Sequence, residues 1–147
     1  MRDKFFMLDT NILIYALDEE SIFYEKAKEI RDKAEMGEIE ACVCPQVLYE
    51  FFAVVTDAQR TRKPLIPKLA IKEIENYVRS KSIKKIYPND TTIKKVTALV
   101  KKYKTRRQEI FDIKLVATML DNHIRNIYTS DPDFKKYSEL RVINPFV

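Results

Sequence analysis

FFMLDTNILIYAL, residues 5–17, carries a single charge, at Asp9. Phe5 to Leu8 are apolar and aromatic-rich, which predicts a short buried strand. Thr10 and Asn11 hold side-chain oxygens suited to a helix N-cap, and Ile12 to Leu17 restart as a helix. Asp9 therefore falls at the carboxyl end of a strand, just before a helix. Ligands of open parallel α/β sheets bind at that edge. A carboxylate buried there is costly unless something positive pairs with it, so the reading turns on what that partner is.

The whole chain bounds the answer. Its 147 residues suit one domain, 1–147, large enough to bury a core. No run of about 18 apolar residues occurs, so no membrane span is predicted. Arg2-Asp3-Lys4 followed by a short apolar run is no signal peptide, and a cytoplasmic location is expected. Cys42 and Cys44 are two apart in a strand-like ACVCP, and the only histidine, His123, is distant. A structural zinc site needs more ligands than these, so the thiols read as small buried hydrophobes. The net charge of +5 suggests a polyanionic partner.

Outward from residues 5–17, strands and helices alternate. A helix opening at Asp18 to Ser21 carries Phe23, Ala27, Ile30 and Ala34 on one stripe, and Gly37 fits the place just past its end. Glu40 to Cys44 read as a strand, and Pro45 opens a helix whose only charge is Glu50. That helix is apolar on nearly every face and is expected to be buried. Asp57 to Ile66 form a loop, expected to be mobile, with Arg60, Arg62 and Lys63. Pro67 starts a helix with Leu69, Ile71, Ile74, Tyr77 and Val78 predicted inward. Ser82 to Tyr87 is a strand candidate. The following helix places Ile93, Val96, Leu99, Val100 and Tyr103 inside and a lysine-rich face outside. Glu109 to Asn122 form a helix, Arg125 to Thr129 a strand, and a short helix and a strand at Leu140 to Ile143 close the chain. The alternation predicts an α/β fold, a parallel sheet of about five strands with helices on both faces.

Four acids then share one sheet edge. Asp9 and Asp131 end strands, Asp112 lies in the first turn of a helix, and Glu50 sits in a helix entered directly from a strand. Asp112 precedes Leu115, Val116 and Met119 at three, four and seven residues, which puts it on the buried stripe. As isolated residues, Asp9 and Asp131 could be simple N-caps; Glu50 and Asp112 are harder to explain in structural terms alone. Four carboxylates cannot all ionise in one pocket without a counter-charge. A hard divalent cation, Mg²⁺ or Mn²⁺, is the natural one. Thr10, Asn11 and Ser130 would then support the site.

The motifs LDTNILIYAL (8–17), LYEFF (48–52), FDIKLVATML (111–120), YTSDPDF (128–134) and VINPF (142–146), in that order, resemble the PIN domain nuclease family. The resemblance spans almost the whole chain. It implies a Rossmann-like parallel sheet and Mg²⁺- or Mn²⁺-dependent cleavage of single-stranded RNA. It also implies kinship with VapC-type toxins, which a small antitoxin protein neutralises, and a homodimer. Asp9, Glu50 and Asp112 match the first three family acids. Asp131 matches the fourth, with Asp133 the competing assignment because the segment reads Asp-Pro-Asp. Two metal ions about 3.5–4 Å apart could hold the phosphate and both reacting oxygens. Arg60, Arg62 and Lys63 are the better candidate RNA contacts, because loops bind; the Lys94–Arg107 run reads as a solvated helix face or as a second RNA contact. A haloacid-dehalogenase-like phosphatase would want a second aspartate where Asn11 stands. An inactive PIN-like RNA-binding or scaffold module would have no need of all four acids.

Overall fold

Short segments between the helices become five strands, all parallel, in a computed structural model that describes residues 4–147. The Arg2-Asp3 pair of the expected non-signal N-terminus lies outside the described residues. The elements are β1 (Phe6–Leu8), α1 (Thr10–Tyr15), α2 (Tyr24–Glu35), β2 (Ala41–Val43), α3 (Pro45–Val55), α4 (Pro67–Arg79), β3 (Lys84–Lys85), α5 (Thr92–Tyr103), α6 (Glu109–Asp121), β4 (Asn126–Tyr128), a 3-10 helix (Pro132–Lys136) and β5 (Arg141–Ile143). The sheet order is β3-β2-β1-β4-β5, with Met7 opposite Cys42 on one side and Ile127 on the other.

That order fixes the layers. From β1 to β2 to β3 the chain steps one way across the sheet. It then returns to the far side of β1 for β4 and β5. Parallel crossovers are right-handed, so α1–α4 cover one face and α5–α6 the other. The reversal point lies between β1 and β4, where an open α/β sheet forms its crevice. Met7, Leu8, Val43 and Ile127 are fully buried between the layers. Among the described residues no helix is long and apolar enough to cross a membrane.

Several expectations change in detail. The first helix starts at Thr10, with Asp9 itself as N-cap, because the Thr10 and Asn11 side chains are turned to other partners. The second begins at Tyr24, after a run of turns. Helix α3 is not buried all round: Tyr49 is 71% exposed, and Glu50 and Ala53 also face outward. On α4 the inner stripe is Ala70, Ile74 and Tyr77, at helical spacing, which leaves Leu69, Ile71 and Val78 exposed. Ile93 on α5 is exposed too. The loop after α3 is pinned by a Leu65 N–H bond to the Val55 carbonyl at 2.7 Å.

Gly37 closes α2 at φ +77°. The Glu38 N–H reaches back to the Lys33 carbonyl at 2.8 Å, a helix-terminating turn that favours glycine. A Cβ here would stand 3.5 Å from Ser82 Oγ, an ordinary contact, so backbone strain sets the cost of a side chain. Gly37→Ala is expected to destabilise the protein by about 1 kcal/mol, read as a lower urea midpoint with an unchanged slope.

Candidate active site

The carboxyl ends of β1 and β4 bring distant residues together. Asp9 leaves β1, its N–H still in the ladder to the Tyr128 carbonyl at 3.1 Å. The residue is only 7% exposed. One carboxylate oxygen accepts from Thr10 N at 2.8 Å. The other accepts from Thr129 Oγ1 at 2.7 Å and Asn11 Nδ2 at 3.1 Å. Asn11 also donates to Thr129 Oγ1 at 3.0 Å and accepts from Ser130 N at 3.1 Å. This lattice ties the β1–α1 turn to the end of β4. Ser130 takes part through its backbone.

Helices from both layers supply further acids. Thr10 Oγ1 donates to Glu50 Oε2 at 3.1 Å, joining α1 to α3. Gln46, one turn before Glu50, donates to Glu50 Oε1 at 3.1 Å and to the Phe111 carbonyl at 2.8 Å. It thereby links α3 to the first turn of α6, where Asp112 sits half-buried. Asp131 caps the 3-10 helix, accepting from Asp133 N at 2.9 Å.

Asp9, Glu50, Asp112 and Asp131 all line one pocket of ≈ 420 Å³, together with Thr10, Asn11, Gln46 and Arg60. Asp133, Arg62 and Lys63 do not line it; Asp133 is exposed. Thr129 and Gln46 escape a sequence reading. Gln46 leaves only the weak signal of its four-residue spacing from Glu50. Thr129 shows nothing until β4 lies beside β1.

The electrostatics follow from burial. Desolvation raises the Asp9 carboxyl above its ordinary range against its hydrogen bonds, and Glu50 and Asp131 push it the same way. Asp112 is raised to about 6, first by desolvation, then by Asp131 and Asp9. Among the described residues none of the four acids has an ion-pair partner. An all-oxygen, anionic donor set without a protein counter-charge fits a hard divalent cation. The acids ring the pocket without converging: among the described residues no three His, Cys, Asp or Glu stand as a ready chelating group. Mutual repulsion of carboxylates opposes closer approach.

The cysteines and the histidine lie outside this chemistry. Cys42 and Cys44 are buried free thiols, raised to about 12 and about 11 by desolvation. His123 is exposed just past α6, at φ +62°.

Against known proteins, the model of the PIN domain family matches residues 6–140. Ribonuclease VapC48 of Mycobacterium tuberculosis is 25% identical over 138 residues, 94% of this chain and 95% of that protein. Among solved structures, the sarcin-ricin-loop-cleaving toxin VapC20 of Mycobacterium tuberculosis superposes with a TM-score of 0.66 at 16% identity, covering 92% of this chain and 98% of that one. A toxin-antitoxin complex from Klebsiella pneumoniae gives a TM-score of 0.60 at 17% identity, covering 95% and 97%.

The raised Asp112 carboxyl makes a signed prediction. As pH climbs from the ordinary 3.8 towards about 6, the unfolded chain loses this proton first, so the folded state loses stability across that window. Asp112→Asn removes the penalty. In chelator at pH 7 the variant should be as stable as the native protein or more so, by about 1 kcal/mol after solvent screening. The gap should close near pH 4. With Mg²⁺ or Mn²⁺ added, native protein should gain more melting temperature than the variant. Equal metal responses would remove Asp112 from the site.

Proposed function

Because the chain belongs to the PIN domain family, we propose that it is a divalent-metal-dependent endoribonuclease acting on single-stranded RNA, the toxin of a toxin-antitoxin pair. The observation that carries this reading is the pocket itself. Four carboxylates from four separate elements line it, and among the described residues no cation forms an ion pair with any of them. The VapC names of the curated relative and of a structural neighbour support the same activity.

Asp9, Glu50, Asp112 and Asp131 would hold Mg²⁺ or Mn²⁺. When bound, such an ion would lower the pKa of a coordinated water and neutralise charge on the phosphate. The protein's own part is orientation. Thr129, Asn11 and the Thr10 N–H fix both oxygens of Asp9. Thr10 and Gln46 each hold one oxygen of Glu50. Cleavage balances as addition of a water oxygen to phosphorus, departure of a ribose oxygen, and net transfer of one water proton to that oxygen.

The partners have candidate surfaces. A second cavity of ≈ 340 Å³ between α1, α3 and α4 has an apolar floor including Leu17, Val55, Leu65 and Leu69, and a charged rim including Glu20, Arg62 and Lys63. An amphipathic antitoxin segment fits such a groove; the Klebsiella neighbour is a toxin-antitoxin complex. Tyr49, Tyr87 and Phe111, 71%, 56% and 53% exposed, stand beside Lys114 on a different surface. This is the place for a homodimer contact, since monomers seldom expose clustered aromatics. Sedimentation should show a dimer of native protein that Tyr49→Asp dissociates; a native monomer at high concentration would overturn it.

Incubation of unstructured RNA oligonucleotides with the protein should give internal cleavage in Mg²⁺ or Mn²⁺ and none in chelator. Asp9→Asn should abolish it, a loss of at least about 10³-fold. Binding without cleavage in both conditions would support the inactive-module reading instead. Release of phosphate from monoesters alone would support a phosphatase.

A further inference from the structure

Three cations lie within four residues on the 57–66 loop, and the tertiary structure separates them. Arg62 and Lys63 approach Glu20 at 3.9 and 3.5 Å, on the wall of the apolar groove. Arg60 lines the acid pocket, the only cation among its described lining residues. Among the described residues its guanidinium makes no hydrogen bond or ion pair, so its five donors face the pocket without a described partner.

Its position is built. Helix α3 ends at Val55 and the chain turns at once on Asp57. Asp57 Oδ1 accepts from Gln59 N at 2.8 Å. The Asp57 carbonyl accepts from Arg60 N and Thr61 N, both at 3.0 Å. This double turn folds the loop back so that Arg60 shares the pocket wall with Ala53 and Val54. Ala53, three residues after Glu50 and exposed, is small enough to leave the approach open.

A pocket of four carboxylates repels the phosphodiester it would have to admit. A guanidinium at its wall answers that repulsion. Its planar fork can donate to two phosphate oxygens together, which a lysine cannot do. As water adds to phosphorus and the ribose oxygen leaves, negative charge on the non-bridging oxygens changes, and a donor that meets them there acts on the rate as well as on binding. We propose that Arg60 grips the scissile phosphate of the RNA, and that Arg62 and Lys63 belong to the other groove. The proposal rests on the ribonuclease reading for the identity of the substrate.

The experiment compares Arg60→Ala, Arg60→Lys and the double variant Arg62→Ala/Lys63→Ala in the full chain. Cleavage of a single-stranded RNA oligonucleotide is measured with Mn²⁺, and binding of the same oligonucleotide with chelator, where turnover is absent. Arg60→Ala should lower kcat about a hundredfold, weaken metal-free binding, and reduce the salt dependence of binding by about one phosphate contact. Its melting temperature should stay at the native value, because the side chain is exposed and, among the described residues, unpaired. Arg60→Lys should regain binding more than kcat, since charge returns without the fork. The double variant should lose less than Arg60→Ala on both readouts.

Native-like kcat and binding in Arg60→Ala would overturn the proposal. So would a lower metal-free melting temperature with native kcat, which would make Arg60 an internal counter-ion to the acids. A larger loss in the double variant would also overturn it. Should native protein cleave no RNA, the ribonuclease reading fails by itself. The binding comparison still decides Arg60, and equal affinities would reject it.

Discussion

Burying the Asp9 carboxylate at the point where the strand order reverses is the constraint that shapes this molecule. A charged group at 7% exposure persists only with a full set of donors. The protein supplies them from Thr10, Asn11 and Thr129. Two come from the turn that Asp9 itself begins; the third arrives from β4. Because β4 pairs with β1 in register, Leu8 opposite Tyr128, the residue after each strand meets its counterpart at the same height. Donor and acceptor are thus positioned by the sheet ladder rather than by a flexible loop.

The two helical layers add their acids by the same geometry. Helix α3 enters directly from β2, and α6 begins on the opposite face, so their first turns meet above the carboxyl edge. Gln46 bridges them. The arrangement concentrates negative charge that the described chain does not neutralise. The raised carboxyls of Asp9 and Asp112 register their burial first and that repulsion second. Active sites commonly hold such strain, with stability supplied by the core beneath. Here that core includes Met7, Leu8, Ile113, Val116 and Ile127, all fully buried.

The 57–66 loop is a wall shared by two cavities. One side presents Arg60 to the acids, and the other presents Arg62, Lys63 and Leu65 to the apolar groove. Its backbone is held at both ends, by the Asp57 turn and by the Leu65–Val55 bond.

Much of this was legible in the order of residues. Apolar runs of strand length alternating with helical stripes specified a parallel α/β sheet, since each pattern reports which face of its own element is buried. Asp9, Glu50 and Asp112 stood out as lone charges in apolar surroundings, and strand-to-helix transitions placed them at one edge. Local pattern reached its limit where partners are remote. It put Leu69, Ile71 and Val78 inside α4, although the narrower stripe of Ala70, Ile74 and Tyr77 is what packs. It treated Arg60, Arg62 and Lys63 as one group. It gave no hint of the Thr129 hydroxyl on Asp9, 120 residues away. Those outcomes depend on the strand order β3-β2-β1-β4-β5. Periodicity describes a residue relative to its own axis, whereas a pairing across the sheet is chosen only when the axes themselves are arranged.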